Sequence, residues 1–115
     1  YTQVGDTTYL YDADGNLVGK GDMRAQVRQC LENVKAVLAT EGATLKDVVS
    51  RRIFVTDMEA YLKAMQGWGP ETYPDFWDRT PQEQTMSPGT LVEISRLAGK
   101  DFMVEIEVFA AIDEK

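Results

Sequence analysis

The stretch Phe102-Met103-Val104-Glu105-Ile106-Glu107-Val108-Phe109-Ala110 alternates in strict strand fashion. Successive side chains on a strand point to opposite faces. Phe102, Val104, Ile106 and Val108 therefore share one face, and Met103, Glu105, Glu107 and Phe109 share the other. The first face is wholly apolar and belongs against a core. The second sets two carboxylates between apolar groups. Just upstream, Leu91 to Leu97 reads as another strand, and Leu97-Ala98-Gly99-Lys100-Asp101 has the turn residues to join the two as a hairpin. Val48-Val49-Ser50-Arg51-Arg52-Ile53-Phe54-Val55 is a third strand by its β-branched content.

Between and before these strands the spacing changes. Val27, Leu31, Val34 and Leu38 fall at helical intervals, with Cys30 and Val37 beside them, while Arg24, Arg28, Glu32 and Lys35 take the other side. Asp22 is placed to cap this helix, and Gly42 to end it. Thr56-Asp57 opens a shorter helix whose apolar stripe is Met58, Tyr61, Leu62 and Met65. The start reads as a strand pair, Tyr1-Thr2-Gln3 and Val4 to Leu10, with turn chemistry at Gly5-Asp6 and again over Tyr11 to Asn16. Residues 70–90 carry Pro70, Pro74, Pro81 and Pro88 and read as a long loop, with Tyr73, Phe76 and Trp77 in it and Trp68 just before it. Such a loop serves either as a lid over the core or subunit contact, or as the wall of a ligand pocket; in the second case Trp77 touches the ligand. The order β-β-α-β-α-β-β gives an α+β layer, two helices on one face of one sheet. The face carrying Met103 and Phe109 is left uncovered, and association with further copies is the cheapest way to cover it.

Composition removes many functions. The 115 residues fit one domain spanning 1–115, and 43% hydrophobic with 27% charged content is ordinary for a globular chain. With 12 basic and 19 acidic side chains the net charge is −7, which argues against nucleic acid as a partner. There is no histidine and the one cysteine is Cys30, so histidine relays, histidine-ligated metals and internal disulfides are excluded within a chain. Cys30 reads as a small apolar core residue. No apolar run reaches the roughly 18–20 residues that span a bilayer, and no signal peptide opens the chain. A reduced, cytoplasmic setting is expected. The chain opens on Tyr1 rather than Met, as a fragment would.

Three segments together resemble the Rid (YjgF-type) family. They are Asp22 to Gln26 with Leu31 to Leu38, Gly42 to Val49 with Phe54 to Met58, and Leu91 to Leu97 with Val104 to Glu107. The resemblance implies a chorismate-mutase-like fold, a homotrimer and clefts between subunits. It implies hydrolysis of reactive enamines or imines to ammonia and an oxo product, without metal or organic cofactor, on aminoacrylate-like or aminomuconate-like substrates. It makes Glu105 the water-handling catalytic carboxylate and Tyr1 a cleft-lining aromatic. A non-catalytic trimer that binds a small molecule is the alternative.

The chain departs from that pattern in two places. The family's deaminating branch carries a carboxylate-binding arginine in a Pro-Ala-Arg-Ser-like segment, whereas Ser87-Pro88-Gly89-Thr90 stands here, with Gly89 at the arginine's position. Three readings follow: a ligand without a carboxylate, an anchor made by the Gly89 and Thr90 backbone with the Thr90 hydroxyl, or Arg51 or Arg52 reaching in from the neighbouring strand. The joins after Gln3 and Leu10 are also short, which fits either a trimmed hairpin or residues omitted from the sequence.

Overall fold

The computed structural model describes residues 2–6, 14, 19–77 and 89–111. The expected strand at Thr7 to Leu10, Tyr1, and residues 78–88 lie outside them. In chain order the elements are strand β1 (Thr2–Asp6), helix α1 (Met23–Thr40), a 3-10 turn (Leu45–Asp47), β2 (Val48–Val55), α2 (Met58–Met65), α3 (Trp68–Thr72), α4 (Pro74–Trp77), β3 (Gly89–Glu93) and β4 (Val104–Ala110). The strands make one mixed sheet in the order β1-β4-β2-β3. The molecule is thus the expected α+β layer.

Helix α1 begins and ends as its sequence dictates. The Asp22 carboxylate accepts the Ala25 amide at 3.1 Å. At the other end Gly42 adopts φ 71°. The Ala43 amide returns to the Leu38 carbonyl at 2.9 Å and the Gly42 amide to Ala39 at 3.1 Å, a Schellman closure. The stripe Val27, Cys30, Leu31, Val34 and Leu38 is buried. Each large apolar group removed from water there contributes about 1.5–3 kcal/mol. Val37 lies beyond the stripe and is exposed, as is Leu62 on α2.

Central strand β4 runs antiparallel to both neighbours, with Ile53 opposite Ile106 and Val55 opposite Val104. A bulge in β2 sets Val48 opposite Ala110 but Ser50 opposite Phe109. The extra residue reverses the alternation, so Val48 faces the core along with Ile53 and Val55.

Several expectations are corrected. Leu91 to Leu97 and Phe102 to Ala110 do not form a hairpin: β3 pairs in parallel with β2, on the side away from β4. Both strands prefer the middle strand β2, and the turn at Gly99 only redirects the chain. The third strand is also displaced upstream, to Gly89–Glu93. The aromatic stretch after Gly67 is not wholly loop, because α3 and α4 occupy part of it. Pro70 and Pro74 sit in the first turns of these short helices, where a missing amide costs nothing. Gly5 and Asp6 do not turn; β1 continues through them opposite Glu107 and Ile106.

Candidate functional site

The registers sort the side chains by face. Val104, Ile106, Val108 and Ala110 point into the core and are buried. Met103, Glu105, Glu107 and Phe109 are half-buried on the opposite face, which is open in that none of the described helices covers it. Arg52 stands opposite Glu107, and Phe54 opposite Glu105. On the other side of β2, Thr90 stands beside Arg52 and Val92 beside Phe54. The open face thus carries a row Thr90–Arg52–Glu107 and, next to it, a row Val92–Phe54–Glu105. Thr90 and Glu105 share this face but lie two strands apart, about 10 Å across the sheet.

Arg52 is held in its row. Its Nη1 donates to Glu107 Oε1 at 3.2 Å. Its guanidinium carbon lies 5.4 Å from the centre of the Phe109 ring. Phe54, Met103 and Val92 give the surrounding surface an apolar character, so among the described residues the face sets the Arg52 cation and the Glu105 and Glu107 carboxylates on a greasy sheet.

Gly89 and Trp77 fall on the other side. Gly89 pairs with Arg51, which shares the helix-side parity of Ile53. A Cβ on Gly89 would come within 3.1 Å of Arg51 Cγ. The Arg51 guanidinium lies 5.0 Å over the buried Phe76 ring. The two arginines therefore part company: Arg51 enters the helix layer and Arg52 the open face with Glu105. Trp77 packs edge-on against Phe76, ring centres 4.8 Å apart. It also hydrogen-bonds Tyr61, whose phenol burial pushes up to about 12 against that bond and the Arg51 charge. Tyr73 donates to Glu32 at 2.8 Å. Its phenol is likewise pushed upward, first by burial and then by that carboxylate.

Two grooves on the helix layer have volumes of about 390 and 540 Å³. The first lies between α1 and α4 and includes Lys35, Tyr73 and Asp75; the second lies between the start of α1 and the later part of α2, with Arg24, Lys63 and Ala64 in its wall. Neither includes Glu105, Thr90 or Gly89. The alternation identified Glu105's face directly. It could not show that Arg52, Phe54 and Thr90 join that face, because this depends on which strands pair.

An α+β layer with an open sheet face bearing Glu105 defines a class, and comparisons identify the family. The model described as Endoribonuclease L-PSP (Ribonuc_L-PSP) matches residues 5–112. The chain belongs to that family, to which its Rid and RutC relatives give further names. A RutC family protein of Pyrococcus horikoshii is 35% identical over 91 residues, 79% of this chain and 64% of that protein. The chain thus spans somewhat under two thirds of that relative's length. The Rid-family protein YyfB of Yersinia pestis, of unknown function, superposes with a TM-score of 0.70 at 26% identity, covering 96% of this chain and 78% of that one. A YjgF/YER057c/UK114 family member from Mycobacterium tuberculosis gives 0.61 at 31% identity, covering 79% and 69%.

Proposed function

We propose that this protein hydrolyses a reactive enamine or imine, releasing ammonia and an oxo product, at the open sheet face. The observation that carries the reading is Glu105, a half-buried carboxylate on an apolar sheet face in a Rid-family chain. In its assembled form the protein is a homotrimer, and a neighbouring copy closes the face into a cleft. The imine carbon is already electrophilic, so the chemistry needs little more than a held substrate and a positioned proton carrier. Glu105 takes a proton from water as its oxygen bonds to the imine carbon. The same carboxyl returns the proton to nitrogen, giving a carbinolamine; it then carries the hydroxyl proton to that nitrogen, and ammonia leaves with the C–N bonding pair as the C=O bond forms. Thr90 contacts substrate from the same face in this scheme. Tyr1 is proposed as a further lining group, and Gly89 as one through its backbone in β3; Trp77, packed against Phe76 on the helix side, is not brought to this face.

The family model's name suggests RNA cleavage, but a net charge of −7 disfavours a polyanionic substrate. A binding protein without turnover is the second reading, favoured by Gly89 standing where the deaminating branch has arginine. Ammonia release from enzymatically generated 2-aminoacrylate, compared with 2-aminomuconate, decides between the two. Catalysis on either, reduced about 10²- to 10⁴-fold by Glu105→Gln, is the expected result. No acceleration on both substrates selects the binding reading.

A further inference from the structure

We propose that Arg52 is the residue that selects anionic substrates at this site, and that Glu107 is an internal carboxylate holding its guanidinium until a substrate carboxylate takes its place. The inference rests on the open face being the site, and it names the chemistry of what binds there.

Three observations lead to it. First, the register puts Arg52 between Thr90 on one side and Glu107 on the other, with Glu105 in the adjacent row. A carboxylate engaged by Arg52 would have Thr90 as a hydrogen-bonding neighbour, and the rest of the molecule would lie toward Glu105. Second, the ion pair is lopsided. The Arg52 side chain is 53% exposed while Glu107 is 23% exposed. The contact between them runs through one nitrogen and one oxygen rather than as a two-pronged fork. A guanidinium carries five N–H donors in a plane, so most of its capacity faces outward. Third, the ring of Phe109 lies close to the guanidinium at 5.4 Å and limits its freedom. Glu107 and Phe109 thus pre-orient the guanidinium, lowering the entropic cost of receiving a planar anion. Arg51, one residue earlier, cannot serve this face because the strand turns it into the helix layer.

The exchange is of carboxylate for carboxylate. The substrate anion forms paired N–H···O bonds with Arg52, and the single bond to Glu107 lengthens or breaks, leaving Glu107 to water. This makes a signed prediction that a purely structural ion pair would not make. Removing Glu107's charge removes a competitor, so Glu107→Gln tightens binding of a small carboxylate, while Arg52→Met weakens it.

The test is titration of the full chain with pyruvate, followed through the Arg52 Nε–H resonance by NMR, with pyruvamide as the uncharged control. The wild type shifts with pyruvate and not with pyruvamide. Affinity, read from backbone amides around Thr90, falls about tenfold or more in Arg52→Met. It falls less in Arg52→Lys, which keeps the charge without the fork. In Glu107→Gln it rises about two- to fivefold, the range expected when an exposed ion pair no longer competes. The two lysine and glutamine variants keep the question answerable should Arg52→Met fold poorly. An unmoved Arg52 signal, equal response to pyruvamide, or weakened binding in Glu107→Gln overturns the proposal. Because binding is read without turnover, a protein that binds pyruvate through Arg52 yet deaminates nothing refutes the enzyme reading alone. One that deaminates independently of Arg52 refutes this inference alone.

Discussion

Single residues divide between those that hold the layer together and those left facing out. Tyr61 belongs to the first group. Its phenol is buried between α2 and α4, and its pKa rises from the ordinary 10 to about 12. The folded chain therefore keeps this proton more tightly than the unfolded chain does. Stability from the neutral phenol is complete below about pH 10 and is lost as pH climbs from 10 toward 12. Tyr61→Phe has no phenol to ionise, so its unfolding free energy should decline less across that window than the wild type's. Denaturant titrations at several pH values, at one protein concentration, check this; parallel declines would show that Tyr61 is not coupled to folding. Tyr73, raised by burial and by Glu32, acts in the same direction.

At the level of elements, Gln26 shows how far apart the pieces joined by one side chain can lie. It is fully buried on α1. Its amide nitrogen donates to the carbonyls of Gly19 at 3.1 Å and Asp101 at 3.0 Å, and its oxygen accepts the Met103 amide at 2.8 Å. The helix thereby fastens both its own leading turn and the entry to β4, two residues ahead of Glu105. Gln26→Leu strands three backbone groups in the interior, and each such loss costs about 1–3 kcal/mol. A clear fall in the denaturation midpoint with unchanged slope is expected. Gln26→Glu keeps the shape but loses the donors, and should also be destabilised. A helix-interior glutamine amid apolar neighbours carried no such message in the sequence. What was legible came from local rules: the caps at Asp22 and Asp57, the stop at Gly42, and the alternation through Glu105. What was not legible came from partner choice. Alternation shows which side chains share a face of one strand, but not which strand lies beside it. The parallel docking of β3 on β2, and with it Thr90's place beside Arg52, therefore had to come from the structure. The short helices α3 and α4 escaped notice because proline-rich composition reads as loop, although proline in a first turn is compatible with helix.

For the whole molecule the open face is the dominant feature. Met103, Phe109 and Phe54 lie on it half-buried, with Val92 exposed at its edge. The proposed homotrimer predicts that light scattering at micromolar concentration gives about three times the chain mass. Phe109→Lys should shift the distribution toward monomer while leaving the far-ultraviolet dichroism of the helices intact. A wild-type monomer at that concentration would remove a cleft between subunits as the site. The sheet order β1-β4-β2-β3 carries one more implication. β4, one of the two inner strands, is also the last of the four described strands to leave the ribosome. Until it emerges, β1 has no neighbour among the described strands, and β2 has no partner on its β4 side. Biosynthesis thus holds the nascent chain with exposed strand edges until late, and the decisive closure joins segments about a hundred residues apart, the kind of long-range pairing that makes folding slow. A crowded cell would favour chaperone attendance during that interval, so slowing translation ahead of β4 should lower the yield of native protein more than slowing it afterwards.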